Sequence, residues 1–355
     1  MATKAKLAFT CGDPAGVGPD VILDWLKKNP AMAHGVAVIG PAQWLKRVDL
    51  HGAAAVPVGD ENLKPVSGQP TIAGAKLAWD ALERAAAGTR AGEFSAVVTG
   101  PVSKEWLQRA GYPFPGQTEF FAERWGGDAT MAFCGGKLLV ALLTWHIPLR
   151  EVPAHLTHAE LARTVAAIDE LARATAGSSE VATSSEKSAS RTSSLPGASS
   201  EIPVSGETRA LSQTAASIEI ATRGPRIGVC GLNPHAGEAG LLGHEEIETI
   251  DPILDELRKT YPRLSRTQPA DTLFARQLRG EFDAIVALYH DQGLAPLKTV
   301  DFDESVNVTL GLPFVRTSPD HGTAFGIAGR GLASSTSFSN AVKVAQQLIG
   351  AREKL

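Results

Sequence analysis

VALYHDQGLAPLKTVDFDESVNVTLGLPFVRTSPDHGTAFGIAGRG, residues 286–331, is the stretch in which the candidate functional side chains are concentrated. It continues an apolar run from Ala284 to Leu288, which predicts a buried strand that ends at Tyr289-His290-Asp291. Open α/β folds bind ligands at the carboxyl ends of such strands. Two cations, a carboxamide and a second histidine follow: Lys298, Arg316, Asn307 and His321. These side chains predict a site for a small anionic substrate beside a metal ligand.

The composition is that of a globular protein acting on small molecules. With 355 residues the chain exceeds one typical core, so two lobes are expected. Its net charge of -4 and the lack of a basic cluster argue against nucleic acid. The longest apolar run, Leu138 to Leu143, is too short to cross a bilayer, and no signal peptide is recognisable. We therefore expect a cytoplasmic protein without a membrane partner.

The three cysteines, Cys11, Cys134 and Cys230, are widely spaced and form no Cys-x-x-Cys pair. Each lies in a predicted strand or at its end, which indicates buried, reduced thiols.

Strands and helices alternate, which predicts an α/β fold with a mostly parallel sheet. Lys6 to Thr10 is a strand that runs into the glycine-rich turn Gly12–Pro19, followed by a helix to Lys28. This turn matches neither nucleotide-binding fingerprint, so a tight βα turn and a cofactor-binding turn remain equally open. Val36 to Gly40 and Ala96 to Gly100 are further strands, with a helix from Thr71 to Ala87 between them.

Several polar residues are expected at helix starts. Ser103 is predicted to cap one helix, and Thr157 to Glu160 form a capping box for a helix that ends near Ala174. Thr118 either caps a helix, which is the commoner fate, or hydrogen-bonds a substrate oxygen.

Residues 177–222 are rich in Ser, Thr and Ala and contain no aromatic residue. Such a segment buries too little apolar area to offset its ordering entropy, so we predict a disordered insertion. Residues 1–176 and 223–355 then form one unit, with a cleft between two lobes.

Three histidines, His146, His235 and His290, lie at or just past the carboxyl ends of predicted strands. Strand ends of one parallel sheet share an edge, so the three imidazoles can form a catalytic divalent-metal site with an open position. Three separate structural histidines are the alternative.

Seven segments in chain order resemble the 4-hydroxythreonine-4-phosphate dehydrogenase family of pyridoxal phosphate biosynthesis: GDPAGVGPD, TGPVSKEWLQRAGYPFPGQTEF, TWHIPLREVP, CGLNPHAGEAGLLGHEE, PADTLFA, YHDQGLAPLK and VNVTLGLPFVRTSPDHGTAFGIAG. The segment from His321 to Gly329 is also similar to the adenosine-binding loop of isocitrate and isopropylmalate dehydrogenases. The resemblance implies their two-lobed α/β/α sandwich.

The resemblance also implies a reaction: oxidation of 4-phosphooxy-L-threonine with NAD or NADP, then decarboxylation to 3-amino-2-oxopropyl phosphate. It implies a homodimer with the active site at the subunit interface and one divalent metal per subunit (Zn, Mg or Co). The family's functional residues fall on three sets here. These are His146, His235 and His290 for the metal; Gln117, Thr118, Lys298, Asn307 and Arg316 for the substrate; and His321, Gly322, Thr323 and Ala324 for the cofactor.

Three residues are candidates for the proton-transfer step. Lys298 serves as a base if the metal and Arg316 depress its pKa. Asp291 adjoins a metal ligand, and Asp271 opens a helix, where a role as its N-cap is favoured.

Two positions depart from the family pattern. Gln117 stands where the family usually has histidine, so a neutral amide replaces a titratable ring. Gly326 stands where an acidic residue commonly meets the adenosine ribose, which leaves the choice of NAD or NADP open. A sister dehydrogenase acting on a phosphorylated four-carbon aldonate or an aromatic cis-dihydrodiol carboxylate is therefore an alternative. A metallohydrolase or phosphate-ester transferase is a more distant one.

Overall fold

The structure is a computed structural model that describes residues 7–176 and 216–354. Within these residues one sheet of eleven strands has the order β3-β2-β1-β4-β11-β10-β5-β6-β9-β7-β8. The strands are β1 Leu7–Thr10, β2 Val36–Pro41, β3 Ala54–Val58, β4 Ala96–Thr99, β5 Thr130–Cys134, β6 Leu139–Leu142, β7 Ile227–Cys230, β8 Leu264–Gln268, β9 Ala284–Ala287, β10 Val306–Leu310 and β11 Val315–Pro319.

The helices pack on both faces of this sheet. They are α1 Gly18–Lys28, α2 Pro30–Ala33, α3 Ala42–Leu45, α4 Ile72–Arg90, α5 Lys104–Arg109, α6 Gln117–Trp125, α7 His158–Ala176, α8 216–223, α9 Asp251–Leu257, α10 Ala270–Leu278, α11 His290–Asp301 and α12 Thr336–Arg352. A 3₁₀ turn spans Leu149–His155, and a π-helical turn at Glu246–Ile250 leads into α9.

The sheet has two parallel halves that run in opposite directions. Strands β3, β2, β1, β4 and β11 are parallel to one another, and so are β6, β9, β7 and β8. Antiparallel pairing at β11–β10, β10–β5 and β5–β6 joins the halves. The prediction of a mostly parallel α/β sheet is confirmed, and the reversal between its halves is new.

Buried strands face two helical layers at once. The Phe9 ring packs edge-on against Trp25 of α1 and Phe338 of α12, at centroid distances of 5.2 and 5.1 Å. Its neighbour Ala8 belongs to the opposite core, with residues of α4 and α6. Successive side chains of a strand point to opposite faces, so a strand covered on both sides reads as a continuous apolar run.

Most predicted elements are confirmed. The Ser103 hydroxyl accepts the Trp106 backbone N–H at 3.3 Å, and the Thr157 hydroxyl accepts that of Glu160 at 3.3 Å.

The three cysteines are free and buried, as predicted. No helix within residues 7–176 and 216–354 is long and apolar enough to cross a membrane.

The predicted insertion needs one correction. Its last residues, 216–222, are helical and belong to α8, where Glu219 pairs with Arg263 at 3.0 Å. This ion pair and the hydrogen bond from the Arg173 guanidinium to the Ile220 carbonyl, at 3.3 Å, hold the helix against the fold despite a composition that favours disorder. The rest of the prediction, residues 177–215, lies outside the described residues.

Candidate active site

A cavity of about 330 Å³ lies over one face of the central antiparallel strands. In the register of β5, β10 and β11, Thr309 lies between Met131 and Arg316. Two residues earlier on β10, Asn307 lies between Phe133 and Ser318. Side chains in register point to the same face, so these rows form the floor of the cavity. The start of α6 and the start of α11 form two of its walls. The cavity therefore lies where the two halves of the sheet meet.

Arg316 places a buried cation in this cavity. The side chain donates to four neutral oxygens: Thr99 Oγ1 at 2.8 Å, Gln117 Oε1 at 3.1 Å, Asn307 Oδ1 at 3.1 Å and Thr309 Oγ1 at 3.2 Å. Its Nε has no partner within the described residues. Burial lowers the pKa of Arg316 to about 10, which still leaves the guanidinium charged at neutral pH. A desolvated cation with only neutral partners is suited to bind an anion.

His146 and His290 face each other at one end of the cavity. They follow β6 and β9, and their ring centroids are 5.8 Å apart with planes inclined by 35°. A carboxylate lies beside Nδ1 of each ring, Glu119 at 3.7 Å from His146 and Asp291 at 2.7 Å from His290. A carboxylate acceptor holds the proton on Nδ1 and leaves the Nε2 lone pair for a metal. Both rings thus fit a metal site.

His235 shows the same pattern but lies elsewhere. Its Nδ1 lies 2.8 Å from Glu238 Oε2, yet the side chain is exposed and does not line the cavity. Within residues 7–176 and 216–354, no three His, Cys, Asp or Glu side chains form a metal-binding group. The structure therefore brings together two of the three predicted ligands within one chain.

Four of the predicted substrate contacts, Gln117, Thr118, Asn307 and Arg316, line the cavity, but the fifth, Lys298, does not. The Lys298 ammonium donates to the Asp320 backbone carbonyl at 2.8 Å and pairs with the Asp320 carboxylate, which is on the wall. Burial raises the pKa of Asp320, although Lys298 opposes this. Asp320 was missed in the sequence; its position directly before His321 at the end of β11 was the available signal.

Glu119 was also missed. Burial works to raise the pKa of this carboxylate, but the nearby His146 imidazole and the Trp145 Nε1–H, which donates to Oε1 at 2.9 Å, outweigh it and bring the pKa to about 2. The residue is therefore an anion that orients His146. Its signal was its place directly after Thr118.

Two capping predictions are wrong. Gly116 is the N-cap of α6, so Thr118 is an inner residue whose Oγ1 lies 3.4 Å from Thr309 Oγ1. Pro269 is the N-cap of α10, and Asp271 is an exposed residue of its first turn. In both cases the chain turns into the helix earlier than the polar residue suggests.

The predicted cofactor residues lie in the loop after β11. His321 and Gly322 line the cavity, whereas Thr323 and Ala324 lie beyond it. The Thr323 carbonyl accepts the Val17 N–H at 2.9 Å, so the loop packs on the glycine-rich turn. A Cβ at Gly326 would meet no atom within 4 Å, so the loop has room for the acidic side chain that was expected at this position.

Comparison with known proteins places the chain among dehydrogenases. Residues 26–182 and 192–345 match the family described as pyridoxal phosphate biosynthetic protein PdxA. A 4-hydroxythreonine-4-phosphate dehydrogenase of Thioalkalivibrio sulfidiphilus is 38% identical, over 98% of this chain and 98% of that protein. The crystal structure of the Klebsiella pneumoniae 4-hydroxythreonine-4-phosphate dehydrogenase has a TM-score of 0.70 and 31% identity, covering 97% of this chain and 99% of that one. A terephthalate 1,2-cis-dihydrodiol dehydrogenase of Burkholderia xenovorans shares the fold, with a TM-score of 0.63, 23% identity and coverage of 97% and 98%.

Proposed function

The chain belongs to the PdxA family of pyridoxal phosphate biosynthetic proteins, and on this basis we propose that it oxidises 4-phosphooxy-L-threonine with NAD or NADP and decarboxylates the product to 3-amino-2-oxopropyl phosphate. The observation that carries the proposal is the shared cavity of Arg316 and the His146–His290 pair. It offers a desolvated cation for a substrate anion and imidazoles for a divalent metal.

The anion is held by the Arg316 side of the cavity. Gln117 Oε1 is occupied by the guanidinium, so its amide nitrogen is left to donate to the substrate. The Thr118 hydroxyl, on the cavity wall, adds a further donor. A phosphate or carboxylate of the substrate accepts these hydrogen bonds.

A divalent metal would be held by His146 and His290, with His235 of a second copy of the chain as third ligand. This arrangement is supported by the carboxylate beside Nδ1 of all three rings and by the exposure of His235. Leu241, close to His235 in sequence, is 82% exposed, as expected of a surface that a second copy covers. A bound divalent ion supplies electrostatic stabilisation to the reacting hydroxyl oxygen and later to the ketone oxygen.

The hydroxyl proton passes to the pair formed by Lys298 and Asp320. Lys298 reaches the cavity only through Asp320, so the pair acts together, with the ammonium stabilising the carboxylate. Asp291 orients His290 and takes no proton. The loop from His321 to Ala324 would hold the nicotinamide cofactor, which would supply the hydride acceptor when bound.

One assay tests the reaction. Purified protein, a divalent metal and 4-phosphooxy-L-threonine are combined with NAD or NADP, and absorbance of the reduced nicotinamide is followed. We expect a signal with at least one cofactor. If 4-phosphooxy-L-threonine gives no signal but an aldonate phosphate or a dihydrodiol carboxylate is oxidised, the proposed substrate is wrong and the chain is a sister dehydrogenase. Release of inorganic phosphate without reduced nicotinamide would indicate a hydrolase.

Mixed dimers test the shared metal site. We expect His235→Ala and His290→Ala each to lose activity, and a mixture of the two, refolded together, to recover up to about a quarter of the parental sites. Recovery arises because each mixed dimer keeps one complete ligand set. If the mixture stays inactive, the three histidines belong to a single chain.

A further inference from the structure

Two side chains join the loops that carry the three histidines. Gln292 Oε1 accepts the Leu288 backbone N–H at 2.7 Å, and Gln292 Nε2 donates to the Gly231 carbonyl at 2.8 Å. The Thr144 hydroxyl donates to the Leu288 carbonyl at 2.6 Å. One continuous chain of hydrogen bonds therefore runs from Thr144 through Leu288 and Gln292 to Gly231.

These bonds begin where the sheet ends. The last register pairs of β9 are Val286 with Val229 and Ala287 with Leu142. Beyond them the Leu288 carbonyl still accepts the Thr144 backbone N–H at 3.2 Å, whereas the Leu288 N–H is bonded by the Gln292 side chain. Leu288 is fully buried, and Gly231 is buried too. Without Gln292, the Leu288 N–H and the Gly231 carbonyl would each lose a hydrogen-bond partner at a buried residue.

The bonds also lie close to the imidazoles in sequence. Thr144 is two residues before His146, Leu288 two before His290, and Gly231 four before His235. The side chains therefore add to the backbone hydrogen bonds that Thr144 and Gly231 already make, and they tie each loop to its neighbour almost at the histidine.

We propose that Gln292 and Thr144 are positioning residues for divalent-ion binding. Thr144 fixes the His146 loop against the His290 loop, which serve the same ion, and Gln292 fixes the His235 loop, which completes the site of the second copy, against the His290 loop. The proposal rests on the metal site proposed above. Neither side chain lines the cavity; each acts on the backbone that presents a histidine.

The chain offers a matched control at the opposite, amino-terminal ends of β6 and β9. Gln277 is buried, and its Nε2 donates to the carbonyls of Leu139 and Asp283, both at 3.1 Å. It thus bridges the starts of β6 and β9, as Gln292 and Thr144 bridge strands at the opposite ends. Loss of Gln277 removes the same kind of bond far from the histidines.

The experiment measures metal binding directly. Co²⁺ is titrated by calorimetry into the metal-free full-length protein and into Gln292→Leu, Thr144→Val, Thr144→Ser and Gln277→Leu, and the visible absorption of each Co²⁺ form is recorded. We expect Gln292→Leu and Thr144→Val to weaken Co²⁺ binding roughly 10- to 100-fold and to shift the absorption bands. Thr144→Ser keeps the hydroxyl and restores parental affinity.

Gln277→Leu separates positioning from stability. We expect it to lower the melting temperature of the metal-free protein and leave the Co²⁺ affinity and spectrum unchanged. Parental Co²⁺ affinity in both Gln292→Leu and Thr144→Val overturns the proposal, as does equal weakening by Gln277→Leu. A parent protein that binds no Co²⁺ overturns the metal site itself and the positioning roles with it, which is a distinguishable result.

Should Gln292→Leu fail to fold, Gln292→Glu replaces it. The carboxylate still accepts the Leu288 N–H but repels the Gly231 carbonyl, so only the link to the His235 loop is lost. Weakened Co²⁺ binding is expected here too, and unchanged binding overturns the role of Gln292.

Discussion

At the scale of single residues, the charge of the cavity depends on Gln117 being neutral. Its Oε1 accepts from Arg316 without cancelling the guanidinium charge. In Gln117→Glu a carboxylate would pair with Arg316 and repel an anionic substrate, so we expect the KM for the phosphorylated substrate to rise roughly 10- to 100-fold. Steady-state kinetics measure this. Gln108→Glu adds the same charge on the exposed side of α5 and is expected to leave KM unchanged. A parental KM in Gln117→Glu would mean that the substrate anion binds away from Arg316.

Asp13, in the glycine-rich turn, makes stability depend on pH. It is 1% exposed, its Oδ2 has no partner within the described residues, and burial raises its pKa. The folded state therefore holds the proton more tightly than the unfolded chain. The neutral carboxyl therefore makes its full contribution to the free energy of unfolding below about pH 3.9, the pKa of the unfolded chain. That contribution is lost as the pH rises through the pKa of Asp13 in the folded protein.

Asp13→Asn removes this pH dependence. We expect the variant to be more stable than the parent at pH 7, with a difference that shrinks toward pH 4, as measured by urea unfolding at both pH values. Asp303→Asn, at an exposed position, is the control that should show no such trend. A variant less stable than the parent at pH 7 would mean that the Asp13 charge is compensated.

At the scale of elements, the turn that carries His235 is unusual. Residues 235–239 all have positive φ, and four of them are not glycine. Left-handed backbone costs L-residues about 1–2 kcal/mol each, so other contacts must hold the turn. The buried Glu246 carboxylate accepts the Asn233 backbone N–H at 2.7 Å and the Asn233 Nδ2 at 2.9 Å, which anchors the base of the loop.

A glycine should relieve this turn. Ala239 has φ 54° and is exposed, so we expect Ala239→Gly to raise the free energy of unfolding by about 0.5–1 kcal/mol. Ala166→Gly, on the exposed face of the right-handed helix α7, should lower it by about 1 kcal/mol. Urea unfolding of both variants compares them. Loss of stability in both would show that the turn is not left-handed in solution.

Some strands can be recognised from the sequence, and others cannot. Runs such as Ala284 to Leu288 are recognisable as strands because burial on both faces demands continuous apolar residues. Strands β10 and β11 were not recognised, because Asn307 and Arg316 interrupt their apolar pattern. These are the residues that the strands present to the cavity.

At the scale of the whole molecule, the three cysteines report on the integrity of the two-faced core. All are buried, and burial raises the pKa of each thiol, that of Cys134 to about 12. We expect no rapid reaction of the native protein with a thiol reagent such as dithionitrobenzoate at pH 8, and reaction of all three thiols in guanidinium chloride. A fast-reacting thiol in the native protein would mean that one strand opens locally.

The sequence by itself determined the α/β class, the confirmed strands that precede the histidines, and the family. These follow from local rules: burial on two faces, capping, and motifs in chain order. Only the tertiary structure decided which side chains meet. It placed Asp320 between Lys298 and the cavity, surrounded Arg316 with neutral oxygens, and set His235 apart from His146 and His290. For Arg316 and Asp320 the physical reason is that antiparallel strands β10 and β5 reverse the sheet between its halves, and strand direction leaves no mark in a local sequence pattern. His235 follows β7, which is parallel to β9 and β6, so its separate position depends on the conformation of its own loop, which residue types do not specify.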